Sequence, residues 1–527
     1  MNEQDQAAVI AFLADRATHG GAAVERIDTH ASIVFLAGDR AFKLKRAVRF
    51  TYLDYSTLVL REQFCRAELA LNRRTAPELY EEVCPITRDP AGRLSFGGAG
   101  AIADWVVVMR RFDQDTLFDR MAERNQLSRT LMFDLAEQIA QFHATADVDH
   151  ESGGQAGMAA TMASDARNLR AAVPAAFDAA AVEALIAAAQ ADLTRVAPLL
   201  EARRRAGKVR HCHGDLHLRN ICLVAGRPTL FDCIEFNRVI SNIDVLYDLA
   251  FLLTDLHARG LDAFANAVFN RYLDLQDESD GLGALPLFLS VRAEVRAHVG
   301  AVVAGRQARP EAEASALDEA RRYLILAGDL LKPRPPCLIS VGGLSGTGKS
   351  TIAYGLAPQL GSVPGARVLR SDVIRKRMFG LALTDRLPSS AYAAAVGERV
   401  FQQIREAAAA ALAAGRSVIV DAVYARPAER DAIAAVAHRA QVPFVGLWLE
   451  APAEVLMARI AARQGDASDA TVAVLRQQQS YDLGRIDWHR IDAGGPADAV
   501  IDAARRASAP AVTLEPTAAN ERNERDR

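Results

Sequence analysis

At 527 residues the chain is too long for one hydrophobic core and should divide into two or more domains. Hydrophobic residues make up 50% and charged ones 24%, with a formal net charge of -3, the balance of a soluble globular protein; this excludes a global field that would draw the chain to nucleic acid or an anionic membrane. The six cysteines, at 65, 84, 212, 222, 233 and 337, lack a disulfide-framework spacing. The polar start MNEQDQAAVIAFLADRA is unlike a signal peptide, and no run of 18 apolar residues follows, so a cytoplasmic location with no membrane partner is expected.

Residues Gln4 to Thr18 carry apolar side chains at helical spacing and predict an amphipathic helix. The period then changes. Ala31 to Lys45 reads as two strands around Ala37-Gly38-Asp39-Arg40, a hairpin with Lys43 on its second strand and on the same face as Ala41. Ser56 to Arg74 follows as a helix opened by a Ser/Thr cap, with Glu68 in its middle. Ala103 to Arg110 reads as a buried strand leading into Arg111-Phe112-Asp113, a hinge between two lobes. Ala156 to Arg205 is Ala-rich and helical.

The stretch VRHCHGDLHLRNICL (209–223) is followed about a dozen residues later by Pro228-Thr229-Leu230-Phe231-Asp232-Cys233-Ile234-Glu235-Phe236. His213 to Asn220 fits H-G-D-x-x-x-x-N and resembles the catalytic loop of the aminoglycoside phosphotransferase-like, protein-kinase-like family. That resemblance implies that Asp215 accepts the proton of a substrate hydroxyl while Asn220, five residues on, holds Mg²⁺ on the phosphates of ATP. Asp232 matches the second metal-binding Asp. Lys43 and Glu68 match the strand lysine and helix glutamate that hold the α/β-phosphates, with Lys45 as the competing lysine. Asp248 resembles a helix Asp that braces the catalytic loop, or it is a helix cap.

Two features depart from protein kinases. No G-x-G-x-x-G covers the N-terminal hairpin, and Asp232 stands in F-D-C where D-F-G would be; the aminoglycoside-kinase-like branch tolerates both, and a catalytically weak domain stays open. His211, Cys212, His213, His217 and Cys222 offer an alternative zinc set, though without paired C-x-x-C spacing.

After Asp248 the chain reads as helical to about Leu331, and Lys332-Pro333-Arg334-Pro335-Pro336 marks a domain boundary. Pro336 to Val341 is an apolar run that predicts a buried strand. Gly343-Leu344-Ser345-Gly346-Thr347-Gly348-Lys349-Ser350 then fits G-x-x-x-x-G-K-[ST], with a helix expected from Thr351 to Leu360. In such a phosphate loop the glycines let backbone N–H groups point at phosphate oxygens. Lys349 reaches the β/γ-phosphates, and Ser350 offers its hydroxyl to Mg²⁺.

Further strands are expected at Val368 to Arg370, ending at Ser371-Asp372, at Ser417 to Asp421, and at Phe444 to Leu449, with a helix from Ala393 to Ala414. These residues resemble the P-loop small-molecule and polynucleotide kinases, including kinases with an AAA domain. The resemblance implies that Asp372 contacts the acceptor hydroxyl, that Asp421 helps hold Mg²⁺, and that Arg459 and Arg463, in a lid at Ala458 to Ala470, close over the transferring group. The plainer alternatives are helix caps for the two aspartates and a solvated basic face for the arginines.

The expected architecture is an α+β bilobal protein-kinase-like domain at 1–332, an α/β P-loop domain with a mostly parallel sheet at 333–507, and a disordered tail at 508–527. The expected function is an ATP-dependent phosphotransferase with two ATP/Mg²⁺ sites acting on hydroxyl groups of small-molecule acceptors. Two alternatives remain: an ATP-binding regulatory module, and polynucleotide 5′-hydroxyl kinase activity in the second domain, resting on Arg370, Arg375, Lys376 and Arg377.

Overall fold

Two-residue periodicity builds the first sheet. The computed structural model describes residues 6–50, 52–307, 309–462 and 467–509, in two compact units: Met1–Thr161 with Leu200–Leu252, and Met162–Leu199 with Leu253–Arg527. The expected tail falls almost entirely outside the described residues.

In the first unit, β1 (Val24–Asp28), β2 (Ser32–Ala37), β3 (Arg40–Lys45), β4 (Tyr80–Arg88), β5 (Leu94–Phe96) and β6 (Ala101–Arg110) form an antiparallel sheet in the order β1-β2-β3-β6-β4-β5. The β2–β3 hairpin turns where expected, with Gly38 at φ 59°. β1, β4 and β5 were not foreseen; β1, with no fully buried position, shows no apolar alternation to read.

Ile33, Phe35, Phe42, Leu44, Val106 and Val108 form a core on one face of this sheet together with Val9 and Leu13 of helix α1 (Ala7–Ala14). That helix is shorter than expected. Asp15 leaves the helical region and its carboxylate accepts from Ala17 N, starting a short 3₁₀ turn instead.

Helix α2 (Leu58–Asn72) covers the opposite face, and the Thr57 hydroxyl caps it by accepting from Leu60 N at 3.2 Å. A fully buried ion pair, Arg61 to Asp104 at 2.7 Å, pins α2 to β6. Because side chains alternate along β3, Phe42 and Leu44 enter the α1 core while Lys43 and Lys45 face α2.

The rest of this unit holds helix α3 (Arg129–Thr145), two small antiparallel pairs, β7 (Val209–His211) with β10 (Asn242–Asp244) and β8 (Ile221–Val224) with β9 (Arg227–Leu230), and the start of helix α4 (Val245–Ala258).

In the second unit, the described residues of 253–331 are mostly helical, as expected, and include helix α5 (Asp262–Leu275). The sheet is wholly parallel: β11 (Leu338–Gly343), β12 (Arg367–Arg370), β13 (Val418–Asp421), β14 (Phe444–Glu450) and β15 (His489–Asp492) run in the order β12-β13-β11-β14-β15. β15 was not foreseen. Helix α6 (Lys349–Leu356) begins inside the motif and ends earlier than expected, where Pro358 turns the chain into a 3₁₀ segment.

The edge strand β12 is covered by α5. Asn270 accepts from Val368 N at 2.7 Å and donates to Ala366 O at 3.1 Å, Asn266 donates to Pro364 O and Ala366 O at 3.0 Å, and Asp274 pairs with Arg367 at 2.7 Å. The spacing of four puts these three residues on one helix face, where side-chain amides replace a neighbouring strand. Among the described residues no helix is long and apolar enough to cross a membrane.

Candidate functional sites

Five of the expected residues meet in the first unit. Lys43 Nζ donates to Glu68 Oε1 at 2.7 Å and to Asp232 Oδ1 at 2.5 Å. Asn220 Nδ2 donates to the Asp215 backbone O at 2.9 Å and to its Oδ2 at 3.0 Å, so the asparagine fixes the orientation of the carboxylate. The two loops are joined through their backbones, by Phe231 N to Asn220 O and Ile234 N to His213 O. Asp232 itself sits at φ 64°, a conformation uncommon for a residue with a side chain and concentrated at functional sites.

Lys45 is a neighbour of Lys43 rather than its rival. Its Nζ donates to the other oxygen of Glu68, at 2.6 Å, and pairs with Glu235, which also accepts from Tyr55 OH. Burial alone would raise the Glu68 carboxyl, but the two lysines outweigh it and hold it down at about 2. Burial likewise opposes the charge on Lys43, and Asp232 and Glu68 overcome it, leaving the lysine well above its ordinary range. Glu235 was missed; its signal was a second carboxylate three residues past Asp232.

Asp248 braces the loop that begins at His213. Its Oδ1 accepts from Gly214 N at 2.8 Å, and its Oδ2 accepts from His213 N and bonds with His143 Nε2, both at 3.1 Å. Gly214 stands at φ 83°, and a Cβ there would come within 3.3 Å of Ile234 and the Ile240 carbonyl. Among the described residues, the group of potential metal ligands that meets closely is His143, Cys212 and Asp248, and its aspartate is already taken up by this brace. Cys222 lies in an apolar cluster, and the alternative zinc set is not among the close-meeting ligand groups of the described residues.

The phosphate loop follows β11. Gly346 takes φ 88°, and a Cβ there would lie 2.8 Å from the Leu456 carbonyl. Thr347 Oγ1 donates to Leu344 O at 2.8 Å and Lys349 Nζ to the same oxygen at 3.1 Å. Ser350 Oγ donates to Asp421 Oδ2 at 2.5 Å, so the hydroxyl and carboxylate expected to share a cation are adjacent; Thr351 is exposed on α6.

Asp372 opens helix α7 (Ser371–Met378). Burial raises its carboxyl above the ordinary range and Asp421 adds to this, against Arg370, the Ser468 hydroxyl and Lys349. Arg459, on helix α8 (Ala453–Ala462), gives its guanidinium to the carbonyls of Ala493 and Gly495, at 2.8 and 3.0 Å, so those carbonyls rather than the phosphate loop hold it. Arg463 lies outside the described residues.

The basic cluster near Asp372 is engaged internally. Arg370 pairs with Asp421 at 3.5 Å, Arg375 donates to Ala391 O, and Arg377 donates to Leu273 O. Lys376 is fully buried against Leu383 O and Asp469. Of the four, Arg377 is exposed.

The chain carries a protein-kinase-like region of phosphotransferase type followed by a P-loop kinase-like region. Residues 46–285 match the model of the phosphotransferase enzyme family and residues 338–482 that of an AAA domain; Lys43 and Lys45 lie just ahead of the first match. Over 482 residues the chain is 30% identical to uncharacterized proteins of Mycobacterium tuberculosis and Mycobacterium bovis, covering 89% of this chain and 92% of theirs, and it belongs to their family. Similar solved structures include a sugar kinase from Janibacter (23% identity, 34% of this chain and 99% of that one, TM-score 0.26). Another is a choline/ethanolamine kinase family protein from Mesorhizobium loti (15% identity, 62% and 99%, TM-score 0.36).

Proposed function

We propose that the chain is a kinase with two ATP sites, one in a domain at 1–332 and one in a domain at 333–507, each transferring the γ-phosphoryl group to a hydroxyl of a small-molecule acceptor. The observation that carries this reading is Lys43 held between Glu68 and Asp232, on a loop joined to Asp215 and Asn220. A charge-neutralising lysine, an acceptor-orienting carboxylate and two oxygen donors for a divalent cation are the parts phosphoryl transfer needs, since positioning and electrostatics dominate its catalysis.

In the first site Lys43 places the phosphates, with Glu68 fixing the lysine. Asp215 orients the acceptor hydroxyl and takes its proton, while Asn220 holds the Asp215 carboxylate. The side-chain oxygens of Asn220 and Asp232 are hard donors of the kind Mg²⁺ prefers. In the second site the N–H groups of the loop and Lys349 grip the phosphates, Ser350 and Asp421 would hold Mg²⁺, and Asp372 orients the acceptor. Its raised carboxyl is suited to receiving a proton. Held by these residues, a divalent cation would supply charge neutralisation at the phosphates in both sites.

The test is ATP consumption by the full chain with a panel of hydroxyl-bearing metabolites. Asp215→Asn should abolish turnover of one acceptor set and Asp372→Asn that of another. Slow hydrolysis indifferent to every acceptor would refute the reading.

A further inference from the structure

One contact of the phosphate loop is not explained by holding the loop's shape. Ser345 N–H, a donor within the loop, gives its hydrogen bond to Gln478 Oε1 at 2.8 Å. Gln478 sits near the end of helix α9 (Val472–Gln479) and is 8% exposed. A side-chain carbonyl oxygen there occupies the kind of position a phosphate oxygen takes, because loop N–H groups are the anion-binding donors of this motif.

The helix that carries Gln478 is tied at its other end to the acceptor side of the same site. The Ser468 hydroxyl favours the charged form of the Asp372 carboxyl. Asp469 accepts from Leu387 N at 2.8 Å, from Tyr392 OH at 3.4 Å and from Lys376 Nζ at 3.1 Å. Ala467 packs with Val373, the neighbour of Asp372. Between the two ends, Leu475 is fully buried against α8 and against Leu344 of the phosphate loop. Residues 467–479 therefore form a strap from a phosphate-loop donor to the residue proposed to orient the acceptor.

We propose that Gln478 is a positioning residue that competes with nucleotide phosphate for Ser345 N–H, so that phosphate binding releases the α9 end of the strap and resets Ser468 and Asp469 around Asp372. This rests on the reading of the second site as a nucleotide site. It differs from a structural brace in sign: a competitor weakens phosphate binding, whereas a brace strengthens it.

The experiment is a calorimetric titration of the full chain with MgATP, following the binding step that Lys349→Ala removes. Gln478→Leu keeps the bulk but loses the competing oxygen, and should tighten that step about fivefold, the value of one typical net hydrogen bond. Gln478→Glu should weaken it, since a carboxylate competes better and repels phosphate. In the wild type, MgATP should speed amide hydrogen exchange in 467–471, and in Gln478→Leu that exchange should already be fast without nucleotide. Unchanged or weaker MgATP binding by Gln478→Leu would overturn the competition while leaving the nucleotide site intact. If Lys349→Ala removes no binding step, the parent reading falls and takes this one with it.

Discussion

Replacing Asp274 with alanine should loosen the second unit by roughly 2–4 kcal/mol, a large part of any domain's stability. Arg367 and Asp274 are both almost completely buried, with side-chain exposures of 6% and 4%. Removing one partner of a buried pair leaves an uncompensated charge, which typically costs 3–5 kcal/mol. The loss here is smaller because Arg367 keeps bonds to Asn270 Oδ1 at 3.1 Å and Val368 O at 3.0 Å. The double replacement Asp274→Leu with Arg367→Met should recover most of the loss, since a well-packed apolar pair can stand in for a buried ion pair at little cost. The assay is amide exchange of residues 363–371 in the full chain, read beside thermal unfolding of the single and double variants. A loss below about 0.5 kcal/mol for Asp274→Ala, or a double variant no better than the single, would refute the view that α5 secures β12. The same reasoning predicts that a fragment starting at residue 333 exposes the β12 edge and aggregates.

Three further outcomes follow from other parts of the chain. Gly214→Ala should cost about 1–3 kcal/mol in backbone strain and steric overlap and lower turnover at the first site, seen as a lower unfolding temperature together with slower ATP consumption. Asp421→Asn should raise the Mg²⁺ concentration needed for ATP binding at the second site about tenfold or more, measurable by titrating Mg²⁺ at fixed ATP. Burial in the helical part of the second unit raises the Glu294 carboxyl to about 8, with Asp165 adding to the effect. Its folded value lies above the unfolded one, so stability is full below about pH 4.5 and falls as pH rises toward about 8. Glu294→Gln should flatten that decline, and thermal unfolding at pH 6 and pH 9 would show it.

What the sequence revealed, and what it hid, follows from range. The H-G-D-x-x-x-x-N and G-x-x-x-x-G-K-[ST] segments are local: each places its groups along one loop, so spacing alone brings them to notice. Lys43 and Glu68 were readable as a strand–helix pair, but the sharing of Glu68 between Lys43 and Lys45 depends on both lysines facing α2, and Glu235 joins them from far along the chain. The left-handed backbone of Asp232 leaves no mark in composition. Asn266, Asn270 and Asp274 show only a spacing of four, and nothing local says that their face meets β12. In the run Gln477-Gln478-Gln479, only packing selects the middle residue for Ser345. Arg459 is the converse case, a basic residue in an expected lid whose guanidinium meets carbonyls after β15.

The proposal that the chain holds two nucleotide sites is tested most directly by calorimetric titration with MgATP. The wild type should bind two equivalents, Lys349→Ala one, Lys43→Ala one, and the double variant none. A wild type that binds a single equivalent, or a double variant that still binds two, would contradict it.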